Sequence, residues 1–136
     1  MHLSKVTTMS DNKPLVVILT VGKSDNGKKA TLAFSAGLSA AIMGQPTTIF
    51  LTGDGAVWGF EHSASGISAQ GFPPLDQLID EYRKAGGRLL VCSVCYRTCS
   101  TGSHENNPSV RMLEGTEIAG FATVLELAGQ GVCLTM

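Results

Sequence analysis

Apolar runs of strand length alternate along this chain with stretches of helical period. Residues 15–21 are almost uninterrupted Leu, Val and Ile, as in a central strand buried on both faces. Gly22 ends the run, and residues 23–27 are rich in the types that start helices. Over 28–43, Ala30, Ala33, Phe34, Gly37, Leu38 and Ala41 recur at helical spacing. Many of them are small, so this helix can lie close to a sheet, and Gly44 caps it. Residues 47–51 form the next strand. This β-α-β order predicts parallel pairing with a right-handed crossover. A second helix is expected over 74–85, with Pro74 in its first turn and Leu75, Leu78, Ile79 and Tyr82 on one face. Gly86 and Gly87 separate it from the run 89–91, which delivers Cys92 at a strand end. Beyond a polar stretch, 108–113 reads as a short helix and 116–119 as a short strand. A last helix is marked by Phe121, Val124, Leu125 and Ala128, and a last strand by 132–135. The fold class expected is α/β, a three-layer α/β/α arrangement with a mainly parallel sheet of about five strands flanked by helices.

Residues 56–73 break this rhythm. They are glycine- and serine-rich and carry His62 and the single tryptophan, Trp58. A surface loop with Trp58 packed down is expected. Trp58, Phe60, Ile67 and Phe72 follow no helical or strand period, so some of them are expected to close a homo-oligomeric interface. A chain 43% hydrophobic and only 15% charged supports that expectation.

Charge and length exclude several classes. The formal net charge is −1, which gives no basic surface for nucleic acid. No apolar run is long enough to cross a membrane. Residues 1–13 are polar and lack the apolar core of an export signal, so they are expected to be a flexible tail before one domain over 14–136. A cytoplasmic location follows as the expectation. There thiols stay reduced, and clustered cysteines serve metal binding or catalysis more than disulfides.

Three constellations could carry chemistry. Residues 22–28 match the spacing of a phosphate-binding loop between strand and helix. However, Lys29 stands where a magnesium-binding hydroxyl is needed, and Asp25 places negative charge in the cradle. An ordinary capped turn is expected instead. A metal site could draw on Cys92, Cys95, Cys99 and His104, but the chain has one Cys-x-x-Cys knuckle rather than two. The third is thiol chemistry at Cys92 and Cys95. A helical turn starting just past Cys92 would offer backbone N–H groups to an anionic sulfur, and Arg97 could add positive charge. Two thiols at this spacing can form a disulfide or pass a sulfur atom between them. The alternative for any one cysteine is a small buried hydrophobe, the favoured reading for Cys133.

Several of these marks together resemble the DsrE/DsrF-like sulfur-relay proteins, which include subunits of the TusBCD complex. They are the first strand with Gly22 to Asp25 and its alanine-rich helix, then 48–51 with Asp54-Gly55. Next come Gly71-Phe72-Pro73-Pro74-Leu75, the strand leading to Cys92-x-x-Cys95, and 115–120 with a closing strand. The resemblance implies sulfane sulfur carried as a persulfide on Cys92 and exchanged with donor and acceptor proteins. It also implies assembly as a trimer or hexamer. Cys95 follows as relay or resolving thiol, and Cys99 as a third candidate. Asp25, Asp54, Tyr96, Arg97 and His104 are candidates for lining the site. Many relatives carry Arg-Gly soon after the cysteines, whereas this chain reads Arg97-Thr98-Cys99. No cofactor, resident metal, nucleic-acid or membrane partner is expected on this reading. The reading from another class is a non-catalytic regulatory or binding module that uses the cysteines to sense metal or redox state.

Overall fold

β-branched and apolar residues run through Leu15–Leu19 (β1), Thr47–Leu51 (β2) and Arg88–Cys92 (β3), and in all three nearly every position is buried. The computed structural model describes residues 13–98 and 111–136, with the backbone alone at 97 and 98. The expected N-terminal tail falls outside the described residues, apart from Lys13. Glu117–Ala119 (β4) and Val132–Thr135 (β5) complete a five-stranded sheet of order β4-β3-β2-β1-β5. Every pairing in it is parallel.

Helices cover both faces. The first is α1 (Lys28–Ile42), the second α2 (Leu75–Lys84). A six-residue α3 (Ser93–Thr98) follows β3, and α4 (Phe121–Ala128) precedes β5. Phe34 of α1 and Tyr82 of α2 meet edge to face, with ring centroids 5.5 Å apart. A Cβ at Gly37 would touch both Tyr82 and Ile49. The two helices therefore cover the Ile49 face of the sheet, and a glycine at this point lets α1 approach closely. The neighbouring Phe50 points the other way, as strand geometry requires, and meets Phe121 of α4 at 5.4 Å. The result is the expected three-layer α/β/α fold.

β1 is shorter than its apolar run. It stops at Leu19, because its partner β2 turns away just beyond Leu51 and β5 ends at Thr135. Without a neighbour, Val21 cannot continue the ladder. Its carbonyl instead accepts a bond of 2.9 Å from the Trp58 indole N–H.

Two other expectations change. Gly53–Gly59 is a 3-10 helix, and Trp58 and Phe60 are buried in the core of their own chain rather than left for an oligomer interface. Ile67 packs against the core, and Phe72 alone of the four is exposed. Of the helix expected over 108–113, residues 111–113 are not helical, Met112 bridging antiparallel to Phe60, and the rest lies outside the described residues.

Candidate functional site

Register brings the site together. Phe50 is paired with Leu90 and Leu51 with Val91, so the next residues, Thr52 and Cys92, come side by side at the carboxyl end of the sheet. Thr52 is still extended, at φ −136° and ψ 165°. Both side chains therefore leave on the Phe50 face. Beyond Cys92 the chain turns directly into α3, so Cys92 stands at the start of that helix. Beyond Thr52 it enters the 3-10 helix at Gly53, which has a φ of +57° that suits glycine.

The two thiols are unbonded, and Cys95 follows Cys92 by one turn of α3. Cys92 is 3% exposed and Cys95 9%. The Thr52–Gly53 corner covers Cys95. The Gly53 N–H donates to the Cys95 sulfur at 3.1 Å, and the Thr52 hydroxyl lies 3.8 Å from it.

Burial pushes the Cys92 thiol up. The backbone N–H of Cys95, the Thr52 hydroxyl, the backbone N–H of Val94 and the Cys95 thiol act the other way, and together they hold it below the ordinary thiol value. The site thus favours an anionic sulfur at the strand end.

A pH dependence follows. The thiolate is the reactive form, so a lowered value moves the midpoint of reaction to lower pH. Alkylation of Cys92 by a small reagent, read by peptide mapping, is expected to reach half its maximal rate at lower pH in the folded protein than in urea. Thr52→Val removes a donor at nearly constant volume and is expected to move that midpoint up. A folded midpoint at or above the unfolded one contradicts this account. The same lowering means that ionisation of Cys92 adds stability as pH rises through its folded value, completely so above the unfolded value.

The remaining candidates divide. Tyr96 is half-buried and stacks on Phe60, with centroids 6.2 Å apart and planes at 8°, which ties α3 to the segment after the 3-10 helix. Asp54 is exposed, one residue past the Gly53 corner. Cys99 and His104 lie outside the described residues, as does the side chain of Arg97. Among the described residues no group of three or more His, Cys, Asp or Glu side chains could hold a metal ion. Cys133, expected to be a buried hydrophobe, is exposed on the edge strand β5. Sequence reasoning did not single out Thr52 or Gly53. The only signal for them was their place at a strand end beside the next strand's cysteine.

Asp25 belongs to a different corner. Its carboxylate accepts the Gly27 N–H at 3.0 Å and the Lys29 N–H at 2.9 Å. These are the donors that a bound phosphate would use at the start of α1. The phosphate-loop spacing is therefore an internally capped turn. Titration with magnesium and ATP in a calorimeter is expected to give no heat of binding; micromolar affinity abolished by Lys28→Ala would refute this.

Two cavities, of about 480 and 460 Å³, lie apart from the thiols. The larger is lined by Phe60, His62, Asp76, Asp80 and Arg83 among others, and the smaller lies between Lys23 and Ser68.

A parallel three-layer domain with an anion-favouring thiol at a central strand end is a sheet-end site of the kind open α/β folds build. A model of the DsrE/DsrF-like family matches residues 15–134, and the chain belongs to that family. Membership implies involvement in sulfur relay in general terms. The fold is similar to that of the YchN protein from E. coli, with a TM-score of 0.65. That likeness covers 91% of this chain and 99% of the other at 11% identity, so it speaks to the fold alone. No curated protein matches. Among the described residues no helix is long and apolar enough to cross a membrane.

Proposed function

We propose that this protein is a sulfur carrier that holds sulfane sulfur as a persulfide on Cys92 and passes it to a partner protein. The observation that carries the reading is the place of Cys92 at the end of a central strand and the start of α3, level with Thr52, where neighbouring donors favour its anionic form. A persulfide is anionic at neutral pH and longer than a thiolate. Fixed donors at a strand end suit its storage without reorganisation. Family membership supports the same reading. The test is intact-mass spectrometry after exposure to polysulfide or a loaded sulfurtransferase. The expected result is a gain of about 32 Da, one sulfur atom, removed by reductant. Failure of every donor to load the chain would refute the reading. Stoichiometric zinc or iron in protein purified without chelator, lost in Cys95→Ser, would favour the sensing module instead.

Partner exchange requires the buried thiols to become accessible, so the acceptor is expected to engage the sheet end that carries Thr52, Cys92 and α3. Homo-oligomeric assembly, as a trimer or hexamer, belongs to the same proposal. Its basis is now the exposed apolar surface, including Phe121 and Leu125 of α4, Ile118 of β4 and Val94 of α3. Light scattering at micromolar concentration is expected to give a multiple of the 14.2 kDa chain mass; a monomer mass would contradict it.

A further inference from the structure

We infer that Cys95 discharges the Cys92 persulfide within the chain, releasing hydrosulfide and leaving a Cys92–Cys95 disulfide. This rests on the carrier reading and adds a second fate for the stored sulfur. Three observations carry it. Cys95 follows Cys92 by one turn of α3, and Thr52, level with Cys92 across the β2–β3 ladder, also lies 3.8 Å from the Cys95 sulfur, so both thiols share one corner. The Gly53 N–H and the Thr52 hydroxyl hold the Cys95 sulfur in a fixed position from the neighbouring strand end. Both thiols are buried, Cys92 at 3% and Cys95 at 9% exposure, so until a partner opens the site they are held in one corner away from competing thiols.

The step balances without an added reagent. Cys95 sulfur attacks the inner sulfur, the Cys92 Sγ. The bond between that atom and the outer sulfur breaks, and the outer sulfur leaves with the electron pair. The proton from Cys95 goes to the departing atom. Cys92–S–S⁻ and HS–Cys95 thus become the Cys92–Cys95 disulfide and HS⁻. The sulfane sulfur is reduced to sulfide as the two thiols are oxidised. An attacking thiolate and a good leaving group are the general needs of such exchange. Displacement in line places the outer sulfur on the side of Cys92 away from Cys95. An acceptor protein reaching the outer sulfur from that side competes with discharge. The partition between transfer and sulfide release then depends on whether an acceptor is docked, so an unclaimed persulfide empties itself and the carrier locks until a reductant reopens it.

The experiment loads the full chain with polysulfide, removes excess donor anaerobically, and follows sulfide and intact mass without reductant. Wild type and Cys99→Ser are expected to lose the gain of about 32 Da and finish about 2 Da below the reduced chain, with sulfide released in step. Cys95→Ser is expected to load fully and release sulfide at least about tenfold more slowly. Thr52→Val, which loosens the hold on Cys95, is expected to fall between. Wild type that loads and keeps its sulfur as long as Cys95→Ser does overturns the discharge step and leaves the carrier reading standing. Wild type that never loads overturns both. Discharge lost in Cys99→Ser but kept in Cys95→Ser assigns the resolving role to Cys99 and refutes this inference.

Discussion

Replacing Cys92 by serine is expected to reduce sulfur loading from about one atom per chain to background, because an alcohol is too weak a nucleophile at neutral pH to take up sulfane sulfur. The variant should stay folded. Serine is a favoured residue at a helix start, and its oxygen can accept the Val94 and Cys95 N–H groups that the sulfur accepts now. The cost is expected to be no more than about 1 kcal/mol, that of a typical single substitution. Loss of loading in a variant with an unchanged melting temperature would therefore report chemistry rather than unfolding. Cys95→Ser and Cys99→Ser are both expected to load. Should Cys92→Ser load as wild type does while Cys95→Ser or Cys99→Ser does not, the carrier is another thiol. Equal, weak loading of all three would mean that the cluster is not a sulfur site.

Trp58→Ala is expected to be the most damaging substitution outside the thiols. Trp58 is fully buried, and its indole N–H satisfies the Val21 carbonyl at 2.9 Å where β1 has run out of neighbours. Truncation of a buried aromatic of this size costs about 3–5 kcal/mol, which in a domain this long lowers the melting temperature by roughly 10–20 °C. The damage should reach the site. Trp58 anchors the 3-10 helix Gly53–Gly59, and that helix begins with the glycine whose N–H holds Cys95. Alkylation of Cys95 in the native state is therefore expected to accelerate. Circular dichroism is the appropriate probe of unfolding, because the chain has no other tryptophan to report by fluorescence. A melting temperature within a few degrees of wild type would show that the segment is not anchored in this way.

Much of the fold was legible in the apolar pattern. Runs buried on both faces must be central strands of a layered sheet, and the helix between the first two strands forces parallel pairing. Residues 47–51, 121–128 and 132–135 lie as that pattern placed them. The helix after Cys92 was also anticipated, from the cysteine's place at a strand end.

Tertiary structure decided the rest, wherever the relevant neighbour is remote in sequence. The end of β1 depends on where β2 and β5 stop, which no local run records. The segment 53–59 has no period, because a 3-10 helix packed over the sheet end buries residues by position rather than by stripe. Cys95 follows Cys92 by one helical turn, so its closeness to that thiol could be read from spacing. Its burial could not, since the cover comes from Thr52 and Gly53, more than forty residues earlier in the chain. The pairing of Thr52 with Cys92 is likewise a consequence of strand register. A parallel ladder sets which residues finish level, and only the assembled sheet fixes that ladder.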